Sequence, residues 1–232
     1  MKSAIAFFDV DQTLIKGYCG YTVVRNLIKK GMIKKRRVIQ AFAYKSIGRL
    51  FRKLDVKRMY EIVMSDLAGF KMKEIMQIGE EIFNQQVKPL IYQEAIKEVK
   101  KQRNLGHKIA FISSGPQMAI QPIEKFFHAD RSFSISPQIK EGVLQKEIIE
   151  PLCYEEGKVI LAEQYANENQ TELKDCLFYS DSISDLPLLE KVGKAHAVNP
   201  DKFLFREAQK RHWPILNFHK LLGIQAPDLA GA

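Results

Sequence analysis

The chain has 232 residues, of which 46% are apolar, and a formal net charge of +9. That is enough to bury the core of one ordinary domain carrying a smaller insertion. Its three cysteines (Cys19, Cys153, Cys176) form no CxxC pair, no apolar run approaches the roughly 20 residues of a membrane span, and the short N-terminal apolar run meets Asp9 too soon for a signal peptide; the pattern argues against a disulfide framework, a thiolate metal site and a spanning helix, and a cytoplasmic protein is expected.

Residues 4–9 (AIAFFD) predict a buried strand closed by a polar loop. From residue 20 to about 87, Lys, Arg, Met and Leu recur at helical spacing. NLIKKGMIKK, RRVIQAFAYKSIGRLFRKL, DVKRMYEIVMSDLAGF and KMKEIMQIGEEIFNQQV predict short helices, with breaks at Gly31, Gly48 and Gly69. After Pro89 the pattern alternates. IYQEAIKEVKKQRNLG predicts a helix ending at Gly106, HKIAFISS a strand, and PQMAIQPIEKFF a helix with Pro116 in its first position. SFSISPQIKEGVLQKEII predicts a β-ribbon turning at Glu141-Gly142, GKVILAEQYANENQ a helix, DCLFYS a strand, DLPLLEKVG a short helix and AHAVN the last strand, before a frayed IQAPDLAGA.

Strands and helices in series imply an α/β fold: a Rossmann-like parallel sheet with helices on both faces, and a helical block inserted after the first strand. The expected division is 1–15 and 89–225 for the core and 16–88 for the insertion. Ligands of such sheets gather at the carboxyl ends of the strands.

Those ends carry polar residues. The first strand ends in Asp9-Val10-Asp11, the second in Ser113-Ser114-Gly115, a later one in Ser180-Asp181 with Asp185 four residues on; Gly157-Lys158 opens a helix. Taken singly, each has a plain reading as a turn, a helix cap or a solvated lysine. Two carboxylates side by side at the end of a strand are costly unless a cation lies between them. Together, Asp9, Asp11, Asp181 and Asp185 offer the oxygen ligands a hard cation such as Mg²⁺ prefers. The Ser113 hydroxyl, the amides of Ser114 and Gly115, and Lys158 supply positive potential for phosphate oxygens.

In order and spacing, DVDQT, Ser113, Lys158 and DSISD resemble the four motifs of the haloacid dehalogenase superfamily, and the helical insertion after the first motif resembles its phosphoserine-phosphatase-like branch. The resemblance implies an Mg²⁺-dependent phosphomonoesterase. Asp9 would be the nucleophile that forms an aspartyl-phosphate, and Asp11 the general acid and then base. Mg²⁺ would be held by Asp9, the Asp11 carbonyl and Asp181, with Asp185 in support. Ser113 and Lys158 would bind phosphoryl oxygens, and the helical block would be a cap closing over the site.

Two departures bear on this. Gln12 stands where the family has Gly or Ser, and Ser180, Ser182 and Ser184 replace the Gly and Asn of GDGxND, so altered bonding around the metal is expected without loss of activity. Lys16-Gly17-Tyr18-Cys19-Gly20 lacks the acid with which phosphoserine phosphatases pair the substrate amine. Phosphoserine is therefore not the expected substrate, and a buried Tyr18 suits an uncharged or anionic leaving group.

Between Lys16 and Arg58 lie fourteen Lys or Arg and one acid, Asp55. Three readings remain open: solvated helix faces, attraction of an anionic metabolite or lipid head group, and peripheral docking on an anionic membrane. Nucleic acid is the weakest partner, because no stacking platform or binding motif is present. Two further alternatives are a phosphatase fold reused as a basic binding module and phosphoryl transfer to an acceptor other than water.

Overall fold

The unbroken apolar run IAFF forms strand β1 (Ile5–Phe8), all four residues buried, as a parallel strand covered on both faces requires. The computed structural model describes residues 4–50 and 56–223. Beyond β1 it contains β2 (Lys108–Pro116), β3 (Arg131–Ile135), β4 (Pro137–Lys140), β5 (Val143–Ile148), β6 (Leu177–Ser180), β7 (Lys194–Val198) and β8 (Ile215–Leu216). Six of these form one parallel sheet in the order β3-β2-β1-β6-β7-β8. The chain moves outward from β1 through β2 to β3, then crosses back to β6 on the other side of β1. The order therefore reverses at β1, and a crevice opens at its carboxyl end.

The Phe8 ring stacks on Tyr179 of β6 at 4.4 Å, and Tyr179 stacks in turn on His196 of β7 at 4.3 Å. These aromatic contacts pack three adjacent strands together beneath the crevice.

Between β1 and β2 the chain is helical: α1 (Cys19–Lys29), α2 (Lys35–Leu50), α3 (Val56–Met64) and α4 (Met72–Ile82), which runs into a π-turn at Phe83–Val87. The entering and leaving segments run side by side, with the Lys16 N–H donating to the Leu90 carbonyl at 2.9 Å and the Tyr92 N–H to the Leu14 carbonyl at 3.0 Å. After them come α5 (Gln93–Asn104), α6 (Gln117–Phe127), α7 (Glu156–Glu168), the single turn α8 (Leu186–Leu189) and α9 (Lys202–Lys210).

One contact explains how closely the insertion seats. Pro122 inside α6 has no N–H, so the Met118 carbonyl four residues earlier loses its helical partner. Gly79 of α4 lies against that carbonyl: a Cβ there would stand 2.2 Å from the Met118 oxygen. Only glycine allows this approach, which leaves room for a Cα–H···O contact. On another side, the Gly69 N–H donates to the Leu144 carbonyl and the Leu144 N–H to the Phe70 carbonyl, both at 3.0 Å, tying the insertion to β5.

Several sequence expectations change. SFSIS is not part of the ribbon: β3 pairs with β2 in the main sheet, and only β4 and β5 form the ribbon, turning at Glu141 and Gly142, both at positive φ. Helix α2 continues through Gly48, because one glycine costs a helix only about 1 kcal/mol relative to alanine. Pro116 ends β2 in extended conformation and precedes the helix instead of opening it. β7 is not the last strand; two-residue β8, too short to leave a pattern in sequence, pairs beyond it. Residues 51–55 of the basic stretch and the IQAPDLAGA tail lie outside the described residues.

Candidate active site

Asp9 follows the last residue of β1, and its N–H donates to the Tyr179 carbonyl of β6 at 2.8 Å. That bond seats the residue in the crevice between the two strands. The chain then turns sharply, with Leu14 N–H on the Val10 carbonyl at 2.8 Å. Asp11 Oδ1 accepts from the N–H of Cys19, the first residue of α1, at 2.8 Å. Gln12 takes a left-handed conformation at φ 60° and compensates with its side chain, which accepts from the Gly17 N–H at 2.9 Å. Its own carbonyl accepts from Asn199 Nδ2 at 3.2 Å.

Lys158 lies in the first turn of α7, where a cation opposes the helix dipole unless anions stand near. The anions are present. Its Nζ is 2.7 Å from Asp9 Oδ1, 2.8 Å from Asp185 Oδ1 and 2.9 Å from Asp185 Oδ2, and the residue is 2% exposed. Asp185 Oδ2 also accepts from the Ser180 hydroxyl at 2.6 Å. Asp185 precedes α8 but makes no capping bond there, so its carboxylate serves the site and not the helix.

At the end of β2, Ser113 is buried and its Oγ accepts from the Gly115 N–H at 3.1 Å. The Gly115 amide is thus satisfied internally here, while Ser113 retains a hydroxyl proton to donate. Tyr60 of α3 donates its hydroxyl to the Ser114 carbonyl, joining the insertion to this loop. Asp181 is fixed through its backbone: its carbonyl accepts from the Asp201 N–H at 2.7 Å, and Asp201 Oδ2 accepts from the Ile183 N–H at 2.9 Å.

The electrostatics are those of anions short of positive charge. Burial, opposed by Lys158 and reinforced by Asp185 and Asp11, raises the Asp9 carboxyl to about 7. Asp181 rises to about 9, from burial first and then from Asp9 and Asp185. Asp11 is raised by burial against the Cys19 bond. Lys158 is driven well above its ordinary range: burial opposes its charge, but Asp185 and Asp9 outweigh it. The buried Cys153 thiol beside this group is pushed up to about 12, chiefly by burial, and stays protonated.

The four carboxylates of the sequence reading are therefore divided. Asp9 and Asp185 share Lys158, Asp11 is turned to α1, and Asp181 stands by itself close enough to repel Asp9. Among the described residues no cluster of three or more His, Cys, Asp or Glu is poised to hold a metal. A cation could draw instead on two carboxylates, Asp9 and Asp181, with a backbone carbonyl completing an all-oxygen set. Tyr18 is not buried: it is 61% exposed, because its extended backbone precedes α1 and it is the next amide, Cys19, that turns inward.

Sequence reasoning missed Tyr60, Asn199 and Asp201, and it placed Ser180 at a strand end without its bond to Asp185. Asp201, a capping residue after Asn199-Pro200, carried a readable signal as the start of α9. Nothing local marked Tyr60, whose role depends on a fold across 54 residues.

The basic block is partly neutralised from outside itself. Lys30 pairs with Glu81, Arg37 with Asp66, Lys57 with Glu150 and Arg58 with Glu61. In sequence, α2 interleaves basic and apolar residues without the segregated pattern of an interfacial helix. No helix among the described residues is long and apolar enough to cross a membrane.

Residues 6–190 match the family model of haloacid dehalogenase-like hydrolases. The chain is 30% identical to the inhibition of morphological differentiation protein of Streptomyces azureus, over 93% of this chain and 78% of that one. It is 29% identical to a probable phosphatase of Mycobacterium tuberculosis, over 95% and 77% respectively. A substrate-bound phosphoserine phosphatase superposes with a TM-score of 0.66 at 18% identity, covering 93% of each chain.

Proposed function

This chain belongs to the haloacid dehalogenase-like hydrolases, in their phosphoserine-phosphatase-like branch, and we propose that it is a phosphatase that hydrolyses phosphomonoesters through Asp9 with the aid of Mg²⁺. The observation that carries this reading is the buried ammonium of Lys158, held between Asp9 and Asp185 at the reversal point of the sheet.

A carboxylate attacks an anionic phosphoryl group only where positive charge offsets their repulsion. Lys158 supplies part of it. The residues suited to hold Mg²⁺ are Asp9, Asp181 and the Asp11 carbonyl; when bound, the ion would supply the rest of that charge. Asp185 then acts by fixing Lys158. The Ser113 hydroxyl donates to a phosphoryl oxygen.

In the first step an Asp9 oxygen bonds to phosphorus as the bond to the leaving oxygen breaks, and Asp11 gives that oxygen a proton. Burial raises Asp11, which suits it to arrive protonated. In the second step Asp11 takes a proton from water, whose oxygen attacks the aspartyl-phosphate and frees Asp9 and inorganic phosphate. Residues 16–88 act as a cap that excludes bulk water, with 1–15 and 89–225 as the core. Phosphoserine is not the substrate we favour, since Lys16–Gly20 offers no acid for its amine.

Phosphate release from a panel of sugar, amino-acid, aryl and alkyl phosphates, with Mg²⁺ and with EDTA, tests the reading. Mg²⁺-dependent release that Asp9→Asn abolishes is expected. No release across the panel, or release indifferent to EDTA, would contradict it.

A further inference from the structure

A cavity of about 210 Å³ lies within the insertion, between α1, α2, α3 and the start of α6. Its described lining is almost wholly apolar, with Val24, Leu27, Val38, Met59 and Val63 on the helices, and includes no Asp, Glu, Lys, Arg or His. An apolar cavity of about 150 Å³ stays dry and takes up benzene, so this one has room for an aryl ring or a short alkyl segment.

Its position ties it to the reaction. Pro116, at one wall, directly follows the Ser113–Gly115 loop. Gly20, at another, directly follows Cys19, whose amide holds the Asp11 carboxylate. Tyr60 lines the cavity and donates to the Ser114 carbonyl. The negative charge of Asp11 adds to burial in raising the Tyr60 hydroxyl, so Asp11 is felt at the same wall. The two walls pack closely at this junction: a Cβ on Gly20 would stand 2.8 Å from Pro116 Cδ. In the proposed reaction the leaving oxygen takes its proton from Asp11, which directs the leaving group to the Asp11 side of the site, where Cys19 and Tyr60 stand.

We propose that the cavity receives an apolar part of the leaving group, making the substrate a phosphomonoester whose alcohol carries an alkyl or aryl moiety close to the phosphate. The proposal rests on the phosphatase reading and deepens it. An unpaired ammonium or carboxylate seated against such walls would lose part of its hydration without compensation, so zwitterionic alcohols are disfavoured.

The test uses n-alkylphosphonates of one to eight carbons, which carry no hydrolysable ester, titrated calorimetrically into the full chain with Mg²⁺; benzylphosphonate is the aryl arm. Each methylene buried should tighten Kd about three- to fourfold until the cavity is full, after which the series levels off. Tight benzylphosphonate binding beside a weak alkyl series would assign the aryl class. Val63→Trp, which fills the cavity, should flatten the series; Val24→Trp serves if circular dichroism shows the first variant unfolded. Affinity independent of chain length, or an unchanged series in a folded filling variant, overturns the proposal. Release of phosphate from p-nitrophenyl phosphate is read separately. A flat series with hydrolysis removes the cavity inference alone, and a rising series without hydrolysis keeps the subsite while removing the phosphatase reading.

Discussion

The Lys158 ammonium donates to Asp9 Oδ1 at 2.7 Å across 149 residues of chain, with both side chains nearly inaccessible to water. Removing one partner of such a pair leaves a buried charge without its counter-ion. Lys158→Met should therefore cost about 3–5 kcal/mol in denaturant unfolding and abolish turnover. Lys158→Arg should not restore activity, since a planar fork cannot occupy the compact point between three carboxylate oxygens. Wild-type stability in Lys158→Met would show that the pair is not formed.

Gly157 sets the position of that lysine. A Cβ there would lie 1.7 Å from the Leu152 carbonyl oxygen, so Gly157→Ala must displace the start of α7. A shift of about 1 Å in a reacting group can cost a hundredfold in rate. Activity should fall by that order while circular dichroism shows the fold retained. Near-normal kcat/KM would mean Lys158 needs no such placement.

Gly79→Ala tests how the insertion is seated. With the Met118 oxygen 2.2 Å from the new Cβ, α4 and α6 must separate, at a cost of about 1–3 kcal/mol. Adding Pro122→Ala should not rescue it, because the backbone contact remains too close. A neutral Gly79→Ala in thermal unfolding would contradict the tight approach.

How legible this was depended on range. The strand-end residues Asp9, Ser113 and Asp181 could be read because apolar runs mark strands and the fold places ligands at their ends. Lys158 stood out because a lysine in a first helical turn calls for an anion. What escaped was interaction between segments. The exposure of Tyr18 follows from the turn before α1, and the Tyr60 bond from α3 reaching the end of β2. The division of the four carboxylates depended on which partner the fold places beside each: Lys158 for Asp9 and Asp185, and the Cys19 amide for Asp11. β3 was misassigned to the ribbon because its alternating serines match either sheet.

Metal and pH are linked with a definite sign. The ordinary carboxyl value is 3.8, and the folded chain holds Asp9 at about 7 and Asp181 at about 9. Between these limits the folded state binds more protons than the unfolded one. These two groups therefore lower stability as pH rises from about 4 toward 9. Mg²⁺ favours their ionised forms, so the Tm increase it produces should be larger at pH 8 than at pH 5. Differential scanning fluorimetry with Mg²⁺ and with EDTA reads this; an equal or absent shift would argue against these two carboxylates as ligands.

The most direct test of Asp9 as the nucleophile is chemical trapping. Enzyme turning over p-nitrophenyl phosphate with Mg²⁺ is quenched and treated with borohydride, which reduces an acyl phosphate to the alcohol, and the peptides are read by mass spectrometry. The account predicts homoserine at position 9, dependent on both substrate and Mg²⁺ and enriched in Asp11→Asn, which retains leaving-group departure from an acidic phenol but lacks the base for the second step. Phosphate release with position 9 unmodified, or reduction at another carboxylate, would contradict it.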